Sequence, residues 1–329
     1  MAPATVPPLH IQDLNFKEAQ ISNYSLSLQH EFRGNWLASI AGAGDVLLHG
    51  TINADANQPL PEGGFNFNPI INTGTVSEYA FGEPFPGYGQ LADVRSPTTI
   101  NWNALELNIQ HPFSHGLFIS GAYTWQRGFA ATRDTETTSS YGGVQDFYHP
   151  NNDRGPSLTT PFDVFAFSAI WKLPWFASAN GLERTLLGGW QIANVTSIQS
   201  GFPMDPKLGT SNPGLATRPD LVPGASNSGP KTINEWFNTS AFVAPPPGFF
   251  GTAPNGSIIG PGTINFDISF YKDFRVTERA KFQFRSNFYN IFNHTNFANV
   301  ATTLGAGDFG QVTSARDPRI IEFALRFEF

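Results

Sequence analysis

Cysteine is absent from this 329-residue sequence, and charged side chains make up only 14% of it. The absence of cysteine excludes both a disulfide framework and a cysteine-based metal site. No apolar run reaches about 18 residues, so no transmembrane helix is predicted, although transmembrane strands would leave no such run. Basic residues are also few, 19 against 26 acidic ones, which argues against nucleic acid as a partner.

Phenylalanine, glycine and proline are abundant instead, with 31, 32 and 26 residues. Glycine and proline are turn residues, and their number favours many strands over helices. A soluble protein with this much phenylalanine would normally carry a more charged surface. The composition therefore favours an all-β protein whose surface differs from that of an ordinary soluble domain.

Two stretches near the C-terminus, Lys281–Phe292 and Arg319–Phe329, alternate between apolar and polar residues. Each is about 11 residues long, whereas strands in soluble domains usually have about five or six. A tilted strand that crosses a bilayer needs about 9–11 residues, with an apolar face toward lipid and a polar face toward a lumen. The apolar faces here consist of Phe282, Phe284, Phe288 and Phe292, and of Ile321, Phe323, Leu325, Phe327 and Phe329.

Seven further stretches upstream have the pattern of strands, two of them less cleanly. They are Tyr24–Arg33, Asn35–Gly44, Asn101–His111, Leu117–Gln126, Asp163–Lys172, Leu187–Ser200 and Thr263–Asp273. The connections alternate between short turns and long loops, the long ones being Asp45–Ile100, Arg127–Phe162, Gly201–Gly262 and Asn293–Pro318. We predict an all-β fold, an antiparallel up-and-down transmembrane β-barrel that is partial, with short periplasmic turns and long extracellular loops. It would occupy residues 23–329, after an irregular N-terminal segment at 1–22.

Tryptophan prefers the two membrane interfaces. In the predicted topology the tryptophans at periplasmic strand ends are Trp36, Trp171, Trp175 and Trp190, and those at extracellular ends are Trp102 and Trp125. Trp236 lies in a long loop. We interpret the strand-end residues as two interfacial girdles, because packing in a core would scatter them along the strands.

Three groups of motifs carry a family resemblance. The first runs from Leu186-Leu-Gly-Gly-Trp-Gln-Ile-Ala to Gln199-Ser-Gly-Phe-Pro203. The second consists of Asn103-Ala-Leu-Glu-Leu, His115-Gly-Leu-Phe and Tyr123-Thr-Trp, and the third of Phe282-Gln-Phe-Arg-Ser-Asn-Phe-Tyr-Asn-Ile-Phe-Asn-His-Thr-Asn-Phe297. Together they resemble the C-terminal half of the barrel of TonB-dependent outer-membrane receptors, in the branch with an N-terminal carboxypeptidase-regulatory-like domain.

This resemblance implies a barrel of about 22 strands, a plug domain inside it and a periplasmic TonB box. It implies a location in the outer membrane of a Gram-negative-type bacterium and uptake of a siderophore, a glycan or a peptide. The plug and the TonB box have no counterpart here, so TonB is expected as a partner only through the missing N-terminal plug and barrel part. Asp163-Val-Phe-Ala also departs from the family pattern, which has Arg and His after the Asp.

Two features lead us to expect a piece of something longer. Met1–His10 lacks the basic and apolar regions of a secretory signal. Nine strands are an odd number, whereas bacterial single-chain barrels have even numbers. We therefore expect an incomplete gene model, a split gene or a truncated chain, which would not be competent for transport alone.

The last residues, Leu325, Phe327 and Phe329, resemble the C-terminal signal that the barrel-assembly machinery recognises. The alternative is that they only end a row that faces outer-membrane lipid, and the two interpretations are compatible. The first interpretation makes the assembly machinery an expected partner, and the second makes outer-membrane lipid one.

Three patterns that could carry chemistry are interpreted as loops or turns. Gly305–Gly310 satisfies G-x-G-x-x-G but has no βαβ context. His111 and His115 flank a tight turn without further ligands. Asp146, His149 and Asp153 cluster with Asn151 and Asn152 in an oxygen-rich group that could bind calcium, but their spacing does not fit an EF-hand loop, and a solvated loop is favoured. We predict no catalytic residues, no cofactor and no metal, and hence a protein that is not an enzyme.

Charged residues on the polar faces of the last two strands are predicted to pair across the strands and to face the plug in a full receptor. They are Lys281, Arg285, Glu322, Arg326 and Glu328. Aromatic loop residues are candidates for ligand contact, with packing of loop on loop as the favoured alternative: Trp236, Phe237, Phe249 and Phe250. Two other functions remain open, a soluble extracellular β-sandwich that binds glycans and an outer-membrane hydrolase.

Overall fold

The computed structural model describes residues 9–58, 84–85, 91–131, 144–209, 217–246, 249–277 and 280–329. These residues contain nine long strands, each paired antiparallel with the next along the chain. The strands are β1 Gln20–Phe32, β2 Trp36–Asp55, β3 Leu91–Ser114, β4 Leu117–Ala130, β5 Asp163–Lys172, β6 Trp190–Gln199, β7 Thr263–Arg275, β8 Lys281–Tyr289 and β9 Ile320–Glu328. All nine predicted strands are present, and the up-and-down order confirms the predicted fold.

Within the described residues the sheet is open, since β1 and β9 each have a long strand on one side only. The short strands are Leu9–Gln12, Gly155–Pro156, Pro203–Met204, Lys207–Leu208, Asp220–Leu221, Phe242–Val243, Ile258–Ile259 and Thr303–Leu304. The helices are α1 Gly181–Leu187 and two 3-10 turns, Pro150–Asp153 and Thr239–Ala241. No described helix is long and apolar enough to span a membrane.

Cross-strand register places the apolar residues of neighbouring strands on one side of the sheet, which we call the outer face. One row across β1 to β5 consists of Leu28, Ile40, Leu107, Tyr123 and Phe165. The adjacent row on the opposite side, the inner face, consists of Gln29, Ser39, Asn108, Ala122 and Ala166. The period of two in the sequence therefore becomes two chemically different surfaces.

The large apolar side chains of the outer face are exposed rather than packed against a second sheet. Leu26 is 74% exposed, Leu28 68%, Phe323 69% and Leu325 67%. In water such a surface would be unfavourable, because each large side chain gains about 1.5–3 kcal/mol from leaving water. A β-sandwich would bury these rows between its sheets, so the geometry opposes that alternative.

The strands β2 and β3 are longer than predicted, because part of the expected loop Asp45–Ile100 is strand. In this hairpin β2 continues to Asp55 and β3 begins at Leu91. Its register shifts around Gly50, and His49 has a positive φ of 58°. The extension is covered on both faces, with Ile52 and Ala92 buried, so its sequence lacks the alternation that identified the other strands.

Two strands are three residues shorter than predicted at one end. The strand expected at Lys281–Phe292 stops at Tyr289, because Asn290 adopts a positive φ of 52° and exchanges hydrogen bonds with the backbone of His294. The strand expected from Leu187 begins at Trp190, because the preceding residues form α1 and the Gly188-Gly189 break.

The N-terminal segment 1–22 is described only from residue 9 onward. Leu9–Gln12 forms a short parallel pair with Leu91–Val94 of β3, and β1 begins at Gln20. Arg95 of β3 forms an ion pair with the N-terminal segment, its Nε lying 3.3 Å from Asp13 Oδ2. The segment is therefore attached to the β2–β3 extension.

The buried aromatic core of the described residues lies in the long loops, not in the sheet. Its buried members are Trp236, Phe237, Ala241, Phe242, Ala253, Ile258 and Val300, with Met204, Leu221, Phe297, Phe309 and Val312 packed against them. We call this folded unit the cap; it consists of the described residues in 201–262 and 290–319. Three two-residue ladders hold it together.

Candidate functional site

The site that a barrel wall offers is its inner face together with the loops above it. In the predicted topology β9 descends to the periplasm, so the cap lies at the extracellular end and the short turns at the periplasmic end. The inner face has small or polar side chains along its centre, for example Ser39, Ser120, Ser168 and Ser197. The centre of this wall is therefore wettable, although the same face also carries Phe118 and Ile170 toward the periplasmic end and Trp102 on β3.

An ion-pair cluster occupies the inner face near the periplasmic end of β7, β8 and β9. Lys281 Nζ lies 3.4 Å from Asp273 Oδ2 and 3.0 Å from Glu328 Oε2. Arg326 Nε lies 3.2 Å from Glu328 Oε1. The predicted pairing of Lys281 across the strands is confirmed.

The rest of the predicted inner-face set lies above this cluster. The Tyr289 hydroxyl donates to Glu322 Oε2 at 3.3 Å. Arg285 Nε donates to Gln283 Oε1, and its guanidinium lies 5.6 Å from the centroid of the Tyr271 ring. Exposed pairs of this kind contribute little stability, because water screens them. Their side chains are consequently available to a group that enters the lumen.

A buried network joins the cap to the loop that follows β4. The carboxylate of Asp153 is fully buried and pairs with the guanidinium of Arg218, which also donates to Asn255 Oδ1. The backbone N–H of Gln145 donates to the second oxygen of Asp153. Burial raises the pKa of Asp153, while Arg218 and the Gln145 N–H oppose that rise. The network therefore holds these two loops together through a buried ion pair and hydrogen bonds.

The predicted oxygen cluster in this loop is thus engaged with protein groups. Asp146 Oδ1 accepts the backbone N–H groups of Tyr148 and His149, at 2.9 and 3.0 Å. Asp146 and Asp153 are buried, so the favoured interpretation of a solvated loop is wrong for these two carboxylates, whereas the side chain of His149 is 67% exposed. Among the described residues no group of three or more His, Asp or Glu side chains could hold a metal ion.

The two histidines of the turn between β3 and β4 point to different surroundings. His111 is buried and packs against Trp36, with ring centroids 4.9 Å apart. His115 has a positive φ of 49° in the turn, next to Gly116 at 82°. Its Nδ1 lies 2.8 Å from the hydroxyl of Ser114. Both histidines therefore belong to a structural turn at the rim of the barrel.

The G-x-G-x-x-G sequence forms a turn that serves the cap core. Gly305 and Gly310 have positive φ angles of 92° and 86°. Between them Phe309 packs on Phe237, with ring centroids 5.2 Å apart. The Gly310 carbonyl accepts the N–H of Trp236 at 2.7 Å.

The aromatic loop residues separate into two groups. Trp236 and Phe237 are buried in the cap core, and the indole N–H of Trp236 donates to the Ile259 carbonyl at 2.9 Å. Phe249 is 51% exposed and Phe250 is half-buried. Packing of loop on loop is therefore the role of the first two, and only the second two are accessible to a ligand.

Motif residues from the family resemblance fix the cap to the wall. The Ser200 hydroxyl accepts the N–H groups of Phe162 and Asp163 at 2.8 and 3.0 Å. Asn296 exchanges two side-chain hydrogen bonds with the backbone of Ile264, at 2.8 and 2.9 Å. These bonds place the ends of both long loops directly above β5 and β7. The Asp163 carboxylate accepts a hydrogen bond from the Tyr123 hydroxyl at 2.7 Å. Asp163 therefore has a structural role between β4 and β5.

The predicted tryptophan girdle is retained at the periplasmic end. Trp36 and Trp190 begin their strands there, Trp171 is the penultimate residue of β5, and Trp175 packs edge-on against Trp171 at 5.5 Å. Trp102 does not belong to a girdle, because the register places it on the inner face, where its indole N–H donates to Gln126 at 3.0 Å. The longer β3 also moves Trp102 away from the strand end.

Comparison with known proteins agrees with this geometry. A family model described as an outer membrane beta barrel domain matches residues 2–322. The chain belongs to this family. An outer membrane barrel thus accounts for the exposed apolar face, which is the lipid-facing side, and for the polar inner face.

Solved structures of transporters and receptors resemble the chain. The outer membrane transporter YddB from Escherichia coli matches with a TM-score of 0.51 at 6% identity, covering 98% of this chain and 34% of that one. The ferric-catecholate import receptor Fiu from E. coli K12 matches with a TM-score of 0.44 at 13% identity, covering 96% and 28%. FpvA of P. aeruginosa, bound to heterologous pyoverdines, matches with a TM-score of 0.42 at 11% identity, covering 95% and 28%.

These likenesses concern the fold. This chain spans between 28% and 34% of the length of those solved chains. No curated protein matches the sequence.

Sequence reasoning missed two residues that organise the molecule. Arg218 lies in a turn-rich loop, where no periodic pattern marks it. Lys272 has a signal that could have found it, because it falls between Phe270 and Phe274 on the apolar parity of β7. A cation at such a position indicates a partner on the outer face.

Proposed function

We propose that this chain is the C-terminal part of the barrel of a TonB-dependent receptor that imports a nutrient ligand across the outer membrane. The observation that carries the proposal is a lipid-facing wall with a polar lumen side, capped by extracellular loops that have their own core. The motif resemblance to TonB-dependent receptors supports it. The likeness of the fold to an outer membrane transporter is consistent with it.

The open edges support a role as part of a larger barrel. Because the nine strands alternate in direction, β1 and β9 both run from the extracellular to the periplasmic end. These two edges cannot pair antiparallel with each other, and two copies of the sheet cannot close edge to edge in one membrane for the same reason. Unpaired backbone in lipid costs several kcal/mol per group. We propose that the remaining part of the barrel supplies an odd number of strands whose edges run the opposite way.

The proposed partners follow from this arrangement. A plug domain from the missing part would contact the inner-face cluster around Lys281 and Arg285, and TonB would act only through that part. Leu325, Phe327 and Phe329 are 67%, 49% and 95% exposed on the edge strand, which leaves them accessible to the barrel-assembly machinery. Both roles remain proposals.

Ligand capture is assigned to the cap rather than to the wall. Within the described residues the exposed aromatic candidate is Phe249, with Phe250 beside it. The siderophore, glycan and peptide classes remain alternatives. We propose binding and transport without chemical conversion, so the protein is not an enzyme.

The test is ligand uptake in cells that produce this chain together with the remaining plug and barrel part, with a panel of ferric siderophores, oligosaccharides and peptides. We expect one class to require TonB and the proton-motive force, and to be lost on removal of residues 229–251 of the cap while the barrel still reaches the outer membrane. Uptake that is independent of TonB for the whole panel, or enzymatic conversion of the ligand at the cell surface, would overturn the proposal.

A further inference from the structure

The periplasmic connection between β5 and β6 contains exposed apolar side chains that neither the lumen nor the cap requires. This segment, residues 173–189, includes α1, and we call it the foot. Its exposed members are Trp175 at 55%, Phe176 at 43%, Leu182 at 73%, Leu186 at 50% and Leu187 at 50%. A free periplasmic turn would expose them to water, where such side chains are unfavourable.

Two contacts fix the foot to the outer face. The indole N–H of Trp190 donates to the Leu186 carbonyl at 3.1 Å. The ammonium of Lys272 donates to the Gly188 carbonyl. Register places both Trp190 and Lys272 on the outer face of their strands. The foot is consequently tied to the lipid side of the wall and does not hang beneath the lumen.

Lys272 shows how close this attachment is. It is 3% exposed, although it lies on the face that carries phenylalanines. Its Nζ is 5.5 Å from the centroid of the Trp190 ring and 5.1 Å from that of Phe274. Bare ammonium groups are costly in hydrocarbon, and here the carbonyl of Gly188 and two aromatic rings surround the charge. Lys272 is the one outer-face cation in the described part of β7, and the foot shields it from lipid.

The apolar side chains of the foot are continuous with the lipid-facing surface. Trp175 stacks edge-on against Trp171, which belongs to the outer face of β5. Leu182 and Leu186 are one helical turn apart and lie on one side of α1, whereas Arg184 lies on the other. A helix with this division lies in the plane of a membrane interface, with its apolar side about 5–10 Å into the boundary between headgroups and acyl chains.

We propose that the foot is a membrane-surface element that inserts Leu182, Leu186 and Trp175 into the periplasmic leaflet of the outer membrane. Its partner is the phospholipid of that leaflet. The element anchors the wall at a fixed depth, and Lys272 positions it from the barrel side. This inference requires the outer-membrane barrel but not the proposed transport of a ligand.

The absence of cysteine permits a direct test by site-specific spin labelling. Leu182→Cys, Leu186→Cys and Arg184→Cys are each labelled in this chain, which is then refolded together with the remaining part of the barrel in vesicles of phosphatidylethanolamine and phosphatidylglycerol. Collision of the label with oxygen, which partitions into lipid, is compared with collision with a water-soluble nickel chelate. We expect positions 182 and 186 to favour oxygen, at a depth of about 5–10 Å, and position 184 to favour nickel.

Leu107→Cys on the outer face of β3 serves as the reference for barrel insertion. Nickel access at 182 and 186 with oxygen access at 107 would overturn the inference and leave the barrel intact. Low collision with both reagents at 182 and 186 would mean that protein covers the foot, which also contradicts the proposal. Nickel access at all positions would contradict the barrel itself.

Lys272→Met supplies a second readout. Methionine retains the length of the side chain but cannot donate to Gly188. We expect the label at 182 to become more mobile and shallower than in the parent protein. Unchanged mobility and depth would remove Lys272 from the proposed positioning role.

Discussion

The wall and the cap use apolar side chains in opposite ways. In the wall, Leu28, Leu107 and Phe323 point outward from the sheet and are 39–69% exposed, which suits contact with lipid. In the cap, Phe237 and Phe242 are 3% exposed and pack in a core like that of a soluble domain. The wall is therefore adapted to lipid and the cap to water. The effect of a substitution should depend on which of these surrounds its region.

The largest effect is expected in the cap core. Phe237→Ala removes a ring that contacts Phe242 at 5.6 Å and Phe309 at 5.2 Å. Replacement of a buried Phe by Ala costs about 3–5 kcal/mol, so we expect the cap to lose protection from hydrogen exchange while β3 to β7 retain it. Phe249→Ala, at an exposed position, is the matched control. An equal loss of protection in the wall would show that wall and cap are one cooperative unit.

The Asp153–Arg218 pair should be almost as sensitive. Arg218→Met leaves a buried carboxylate without its cation, which costs about 3–5 kcal/mol. We expect faster hydrogen exchange in residues 144–153 and in the cap residues around Asn255. Lys207→Met, at an exposed cap position, should have little effect.

A double variant separates the charge from the packing. Adding Asp153→Asn to Arg218→Met removes the unpaired carboxylate, so part of the protection should return. If the double variant is less protected than Arg218→Met alone, the unpaired Asp153 carboxylate is not the cause of the loss.

The wall should respond to a charge on one face and tolerate it on the other. Leu107→Arg places a cation on the lipid side, where arginine at the bilayer midplane costs about 2–4 kcal/mol. We expect a corresponding loss in the free energy of unfolding, measured by denaturant titration of the barrel assembled from this chain and its remaining part in lipid vesicles. Asn108→Arg, the next residue on β3, faces the lumen and should change stability by less. Equal losses would contradict the two-faced wall.

The smallest effect is expected at the inner-face ion pairs. Lys281→Met removes the pairs with Asp273 and Glu328, whose side chains are about a third exposed or more. Because solvent screens exposed ion pairs, we expect this loss to be smaller than that of Leu107→Arg. The same titration measures it, with Lys231→Met in the cap as the control. A loss above that of Leu107→Arg would reverse the predicted order of wall and lumen.

The wall was predictable from sequence and the cap was not, for a physical reason. A membrane strand imposes a period of two on its own residues, so Phe282 to Phe288 or Leu105 to Ile109 reveal the face without knowledge of any neighbour. The cap core joins Trp236, Phe242 and Val300 from separate loops. No local period records such contacts, and the sequence offers only turn residues there.

The errors at strand boundaries have the same origin. The β2–β3 extension is buried on both faces, so it lacks the alternation on which detection relied. The seven-residue α1 is too short for a clear helical period, although Asn180 before it and the Leu182–Leu186 spacing are helix signals. The inner-face pairing of Lys281 was predictable, because register follows once two neighbouring strands are correctly assigned.

The most direct test of the two-faced wall is a cysteine scan of β3 from Leu105 to Gln110, with the chain refolded together with the remaining part of the barrel in lipid vesicles. Each position is labelled with a fluorophore, which is then exposed to brominated lipid or to aqueous iodide. We predict lipid quenching at 105, 107 and 109 and iodide quenching at 106, 108 and 110. Quenching by iodide at every position, or a helical period of 3.6, would contradict the assignment of β3 to a membrane barrel.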